Sequence, residues 1–352
     1  MFNCYQKAQV SFKLKDEIGG EGRNSQTFIA HDYQLDDDIV IKIIKKSKIT
    51  SLDKYFDESR HLYLSNHPNV VKILYACEDN ENIYIAMPFY ENKSLNSLIE
   101  NRHLTTREII RFTSQIVSGV HNIHSKGLIH FDIKPDNILL SKRKEALVSD
   151  FGLAQRIDIS GEATPQSDLY IKILPPEVST SKRFNQTFDI YQIGLTIYRM
   201  CNGNSIFNEQ FSNYFVPVND SKIFDRNQFA QDLKKGLFPD KKIFPCHIPK
   251  KIRNVVRKCL QPNQACRYQS ALDIVNAMAE IDGNLLDWQY TIENGERKWL
   301  KDKEGKILSL IVCSSGKSIA TKTTTSGRTQ RIKKFSKQEI SEEEIITFLD
   351  SH

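Results

Sequence analysis

The run LIHFDIKPDNILL at 128–140 places His130, Asp132, Lys134 and Asn137 within eight residues, between short apolar pairs that read as strands. A carboxylate, a cation and an amide at this spacing suit the handling of a phosphoryl group and its metal. Asp132 can accept a hydroxyl proton, Lys134 can neutralise charge developing on a transferred phosphoryl, and Asn137 can offer an oxygen to Mg2+. Thirteen residues after Asn137, SDFGLA supplies Asp150 as a second oxygen ligand. Mg2+ favours this mixture of carboxylate, amide oxygen, water and phosphate. The plain alternative is an ordinary polar turn between strands. His121 and His124 have helical i, i+3 spacing that could suggest a metal, but no carboxylate or cysteine completes a site, and they read as ordinary helix residues.

HxDxKxxN followed by DFG resembles the catalytic and metal-binding pair of the eukaryotic-type (Hanks-type) serine/threonine protein kinases. The other landmarks of that family fall in order along the chain. Ile39-Val40-Ile41-Lys42 is similar to the β3 signature, which makes Lys42 the candidate for the α/β-phosphates. Glu58 stands nine residues before His67, where the family carries the glutamate that pairs with that lysine. IGGEGRNSQTF resembles the glycine-rich loop: Gly20 and Gly22 match its first two glycines, Ser25 takes the third position and Thr27 the usual valine. Ser25 is expected to stiffen the tip of that loop, and Thr27 puts a hydroxyl where an apolar cap for the base is usual. In IYIAMPFY the resemblance makes Met87 the gatekeeper, with the Pro88 carbonyl and the Tyr90 N–H meeting the adenine edge and Val40 and Leu139 enclosing the base.

The resemblance also gives His130, Phe151 and Gly152 structural parts. It pairs Glu177 of LPPE with Arg267 as a buried ion pair, and it makes Asp189 the anchor of the catalytic-loop backbone, with Tyr191 where tryptophan is commoner. Lys134 goes with Ser/Thr rather than Tyr specificity. One departure bears on regulation: the arginine usual between His and Asp is Phe131, so HRD becomes HFD. That arginine ordinarily pairs with an activation-loop phosphate, which phenylalanine cannot do. Ser160, Thr164, Ser167 and Tyr170 remain as sites of modification without being switches. Tyr170 stands near where a threonine normally contacts Asp132 and Lys134.

These residues need a scaffold, and the chain supplies two patterns in succession. Short apolar runs at 10–18, 26–31, 38–44, 70–76 and 83–89 read as strands, interrupted by one helical run, SLDKYFDESRHLYLSN, with Ser51 as its N-cap and Leu52, Phe56, Ser59 and Leu62–Tyr63 roughly on one side. From about 95 to 283 the spacing turns helical, as in TREIIRFTSQIVSGVHNIHS, FDIYQIGLTIYRMCN and KKIRNVVRKCL. The expectation is an α+β, bilobal kinase fold, with a β-rich lobe over 1–90 and an α-rich lobe over 91–283. Residues 284–352 read as a small basic α+β module: strands joined by NG, EG and SG turns, then a helix opened by Ser341 and Glu344 at capping-box spacing.

Composition narrows the class further. The 352 residues are 39% hydrophobic and 26% charged with a net charge of +6, which excludes a polybasic nucleic-acid binder and gives material for a core. No apolar run is long enough to span a bilayer, and the first residues carry no apolar signal segment, so a cytoplasmic protein is expected. Seven cysteines without a CxxC pair read as reduced thiols. Twelve Lys and Arg (297, 298, 301, 303, 306, 317, 322, 328, 331, 333, 334, 337) face only Asp302 and Glu304 over 297–337. That stretch is a candidate surface for an acidic partner or nucleic acid, or simply a solvated face. The function implied is ATP-dependent phosphorylation of protein hydroxyls with Mg2+, or Mn2+ in its place. A pseudokinase-like scaffold, or a kinase controlled through the terminal module, is the rival.

Overall fold

The computed structural model describes residues 9–19, 25–48, 56–165, 169–218 and 221–352. Its first part is an antiparallel sheet of β1 (Phe12–Gly19), β2 (Ser25–Asp32), β3 (Asp37–Lys45), β4 (Tyr75–Glu78) and β5 (Asn82–Pro88), ordered β1-β2-β3-β5-β4. Strand alternation decides what the central strand offers. Ile39 and Ile41 pack with Ala30 and Ala86 on one face, so Val40 and Lys42 must point to the other. Between β3 and β4 lies α1 (Asp57–Leu64), which buries Ser59 and Leu62. Tyr63, expected on the same side, is 74% exposed, because one further residue turns the helix by about 100°. Phe56 occupies the N-cap position, and Ser51 and Leu52 lie outside the described residues. The apolar run at 70–76 is a strand only from Tyr75 onward. Val70 and Val71 are instead buried against the second half, where the Val71 N–H donates to the Val148 carbonyl at 2.9 Å.

The second half begins with α2 (Leu95–Asn101) and α3 (Thr106–Ser125). A capping box of Thr105 and Glu108 starts α3, whose inner face carries Ile109, Phe112, Ile116, Val117, Val120 and Ile123 into the main core. Short pairs β6 (Leu128–Ile129), β7 (Ile138–Leu140), β8 (Ala146–Val148) and β9 (Gln155–Arg156) follow: β6 pairs with β9, and β7 with β8. They hold the loop 130–137 between them. Beneath it runs α4 (Thr187–Asn202), buried on every side. A charged or amide side chain in a helix so enclosed is costly unless bonded, and its Asp189, Gln192 and Arg199 are all hydrogen-bonded, while the buried Thr196 hydroxyl has no partner among the described residues. Elements α5 (Asn204–Ser212), β10 (Phe215–Val218), β11 (Ser221–Phe224), α6 (Arg226–Lys235), α7 (Lys250–Cys259) and α8 (Ala271–Met278) complete this half.

The terminal segment forms a meander of β12 (Gln289–Glu293), β13 (Glu296–Lys303), β14 (Lys306–Val312), β15 (Ser318–Thr324) and β16 (Thr329–Arg331), covered by α9 (Glu342–Ser351). The turns Asn294-Gly295 and Glu304-Gly305 have positive φ at both residues, the geometry that lets a two-residue loop follow the strand twist. The capping box of Ser341 and Glu344 is present at the start of α9. Trp288, Trp299, Leu310, Ala320, Phe348 and Leu349 form a core of its own. The sheet also meets the helical half. The Trp299 Nε1–H donates to His247 Nδ1 at 3.1 Å, and the Tyr290 ring lies 4.9 Å from both His247 and His103. Burial pushes the His247 imidazole down to about 3, which keeps Nδ1 an acceptor.

Candidate active site

Asp189 builds the loop from below. Its Oδ2 accepts from the His130 N–H at 2.9 Å and is bonded to His124 Nε2 at 2.8 Å, while Oδ1 accepts from the Phe131 N–H at 2.9 Å. One helical turn on, Gln192 accepts from the Ile133 N–H and donates to the Phe131 carbonyl, both at 2.9 Å. These bonds hold Phe131 at φ 66°, a left-handed conformation that costs a side-chain-bearing residue about 1–3 kcal/mol. His124 therefore has a carboxylate partner after all, in a structural pair and not a metal site. Gln192 went unrecognised in the sequence; its one signal is a lone amide three residues after Asp189 in an apolar helix.

On this frame His130 donates from Nε2 to the Ser149 carbonyl at 3.1 Å, and burial lowers its pKa. Asn137 Nδ2 donates to Asp132 Oδ2 at 2.7 Å, and the Lys134 ammonium reaches the same oxygen at 3.1 Å. Asp132 Oδ1 is buried with no partner among the described residues. Burial raises the Asp132 carboxyl above its ordinary range despite Lys134. A buried, unpaired carboxylate oxygen beside an ammonium is set to accept a hydrogen bond from an incoming hydroxyl.

Lys42 joins the two halves. Its ammonium donates to Glu58 Oε1 at 2.6 Å and to Asp150 Oδ1 at 2.8 Å. Burial alone would lower its pKa, but the Asp150 and Glu58 carboxylates outweigh that and raise it. The same ammonium holds Asp150 down at about 2. With two carboxylates sharing one cation, the cost of burial falls on Glu58, whose pKa is raised. Asp150 itself adopts φ 60°, and the Phe151 ring behind it lies 4.9 Å from that of His130. Because the Asn137 amide nitrogen is spent on Asp132, its oxygen is left for a cation, and Asp150 adds a carboxylate close by. Two protein oxygens with room for water and phosphate fit Mg2+.

The remaining residues of the cleft are distributed as follows. Val40 pairs with Met87 across β3 and β5, and Pro88 ends β5 opposite Ile39. Leu139 lies in β7, and burial raises the Tyr90 phenol. Thr27 sits opposite Lys42 in the sheet. Ser25 is not at a loop tip: it is the first residue of β2, opposite Ile44. Gly20 and Gly22 lie outside the described residues. Gly152 adjoins the ion pair: a Cβ there would lie 3.3 Å from Asp150 Oδ1 and 3.4 Å from the Lys42 ammonium, a close but small intrusion. Far from the cleft, Arg267 grips both Glu177 oxygens at 2.6 and 2.8 Å and lies over the Tyr191 ring.

Among the described residues, the segment between Asp150 and Glu177 is held by apolar packing and ion pairs. Phe131 is fully buried with its ring 4.9 Å from Phe188 and 6.2 Å from Phe184, and Ala163 of the segment pairs with Phe184. Arg183 reaches Asp158, Glu162 and the Ser160 hydroxyl. Thr164 is exposed, Tyr170 is 41% exposed, and Ser167 lies outside the described residues. In the terminal module, part of the basic stretch is spent on the fold itself. Arg297 pairs with Glu342, Lys337 with Glu344, and Lys301 and Lys303 donate to the carbonyls of Asn284 and His352. Among the described residues no helix is long and apolar enough to cross a membrane.

Comparison with known proteins agrees with this geometry. The protein kinase domain profile matches residues 12–278. The Clostridium perfringens protein named probable serine/threonine-protein kinase CPE1738 is 26% identical over 268 residues, which cover 74% of this chain and 37% of that protein. The Bacillus subtilis serine/threonine-protein kinase PrkC is 25% identical over 295 residues, covering 81% of this chain and 43% of its own length. The Caenorhabditis elegans tyrosine-protein kinase receptor svh-2 is 28% identical over 255 residues, or 70% of this chain and 22% of the receptor. The chain thus spans less than half the length of these relatives. Since the matched span runs through both halves and takes in every cleft residue described above, the chain belongs to the protein kinase family, with its terminal sheet and helix outside the match.

Proposed function

We propose that this chain is a serine/threonine protein kinase that moves the γ-phosphoryl group of ATP to a protein hydroxyl. The observation that carries the reading is one connected arrangement: Lys42 bonded to both Glu58 and Asp150, with the unpartnered Asp132 Oδ1 beside Lys134 and Asn137. Lys42 orients the α- and β-phosphates, and Val40, Met87 and Leu139 line the base. Asp132 orients the acceptor hydroxyl and takes its proton as the new P–O bond forms and the γ-phosphorus bond to the β–γ bridging oxygen breaks, with ADP leaving. Lys134 offsets charge on the moving phosphoryl. Asn137 and Asp150 would hold Mg2+, which would supply charge neutralisation for the phosphates. Fixed positioning of these groups accounts for most of the rate gain. Lys134, two residues after Asp132, and the bacterial relatives named as serine/threonine kinases favour Ser/Thr over Tyr acceptors.

The test is transfer from ATP–Mg2+ to the chain itself and to a generic basic protein. Lys42→Ala is expected to lower transfer about 100-fold or more, as removal of a group that acts on charge in the transition state does. Equal signal from wild type and variant would refute catalysis; ATP binding with no transfer in either would favour the scaffold reading.

The second element of the proposal is that activity needs no activation-loop phosphate. The apolar packing of Phe131 on Phe184 and Phe188, with Ala163 paired to Phe184, supports it. So does Arg183, which ties Asp158, Ser160 and Glu162 without any added charge. Ser160, Thr164 and Ser167 replaced by Ala, together with Tyr170→Phe, should leave transfer within about threefold of wild type, since no phosphate-dependent charge pair is being removed. Complete loss that acidic replacements rescue would sink the idea.

A further inference from the structure

We infer that Tyr170 is a positioning residue for Lys134, linking the activation segment to the catalytic carboxylate through an aromatic face. This rests on the kinase reading above. The Lys134 ammonium lies 4.5 Å from the centre of the Tyr170 ring and 3.1 Å from Asp132 Oδ2. A cation over an aromatic face is attracted by the ring quadrupole, and the attraction strengthens where water is thinned. The side chains of Lys134 and Asp132 are only 13% and 8% exposed, so the contact sits in such a place.

The chain of contacts has a direction. Asp132 Oδ2 takes the bonds of both Lys134 and Asn137, which turns Oδ1 toward the acceptor position with no partner of its own. A lysine has four rotatable carbons and three equivalent donors, so a single ion pair fixes its head poorly. The Tyr170 ring supplies the second wall. It belongs to the activation segment, immediately before the short 3-10 turn Ile171–Ile173, whose Ile173 is buried in the main core. When that turn is docked, the ring stands over Lys134; when the segment leaves, Lys134 loses the wall and Asp132 loses a fixed neighbour. The contact with Lys134 is made by the ring face, and the role is assigned to that face.

Two measurements on the full chain test it. The first is the NMR signal of the Lys134 ε-methylene, assigned by its disappearance in Lys134→Arg. It should be shifted upfield by the ring current in wild type and in Tyr170→Phe, and should return toward the ordinary lysine position in Tyr170→Ala. The second is steady-state transfer to a generic basic protein. Tyr170→Ala should lower kcat about threefold to thirtyfold with KM for ATP unchanged, and Tyr170→Phe should restore it. An unshifted Lys134 signal in wild type overturns the inference, as does a kcat for Tyr170→Ala equal to wild type. If no transfer is detected at all, the kinase reading fails, and the ring-current shift still decides the contact.

Discussion

Asp132→Asn is expected to lower kcat by about 10²–10⁴-fold, the range found when a positioned acid or base is removed from a proton transfer. The side chain keeps its shape and can still accept the Lys134 bond, so KM for ATP should hardly move. Stability should respond in the opposite sense. Burial raises the folded carboxyl above its unfolded value, so ionising Asp132 works against the folded state as pH rises through that raised value. Asparagine carries no such penalty, and the denaturation midpoint at neutral pH should be level or higher. In wild type, the acid limb of kcat/KM, which reports the free protein, should lie above the ordinary aspartate range for the same reason, because only the ionised form accepts the proton. A variant within tenfold of wild-type kcat, or one that is inactive because it has unfolded, would each contradict this assignment.

Much of the cleft was legible in the sequence because its chemistry is crowded into short segments. His130, Asp132, Lys134 and Asn137 occupy one loop, and Asp150 follows on the next strand pair. Lys42 and Glu58 were harder, since a lysine on a strand and a glutamate on a helix are usually solvated. Only their spacing relative to the other landmarks brought them together, and the structure holds them at 2.6 Å. What the sequence did not yield were partners supplied by residues distant in the chain. Gln192 braces the loop from both sides, yet nothing in its neighbours marks it apart from its place one turn after Asp189. Phe184 and Phe188 read as ordinary apolar residues until Phe131 is seen against them. Helical or strand periodicity names the buried face of an element and not the element that covers it.

The terminal module shows the same division. Its hairpins could be read residue by residue, because Asn294-Gly295 and Glu304-Gly305 carry the positive φ their turns require. The capping box of α9 was equally local. Its seat against the helical half was not, for Trp299 meets a histidine 52 residues away. Part of the basic stretch divides in the same way. Charge counted along a chain takes no account of cross-strand and helix partners, and Arg297 and Lys337 find theirs in Glu342 and Glu344 of α9.

The loop's dependence on Asp189 gives the largest expected loss of stability. Asp189 is fully buried and takes bonds from two backbone N–H groups and from His124. Burial alone would raise its carboxyl, but the His124 bond, the nearby imidazoles and the His130 N–H bring the net shift below the ordinary value. The stability contributed is therefore present above the unfolded pKa and is lost as pH falls from about 4 downward. Asp189→Ala leaves two buried N–H groups unmet, and with them the backbone of Phe131, held at a φ it would not choose. The expected cost is about 3–5 kcal/mol in chemical denaturation, in the range for breaking a buried charged network. Asp189→Asn keeps one acceptor and should recover part of that loss, though its amide nitrogen then faces a donor. The transfer rate should fall in the same order, because Asp132 follows Phe131 directly and inherits its displacement. A cost under about 1 kcal/mol, typical of a surface substitution, would mean that the loop is held by Gln192 and the packing of Phe131 alone.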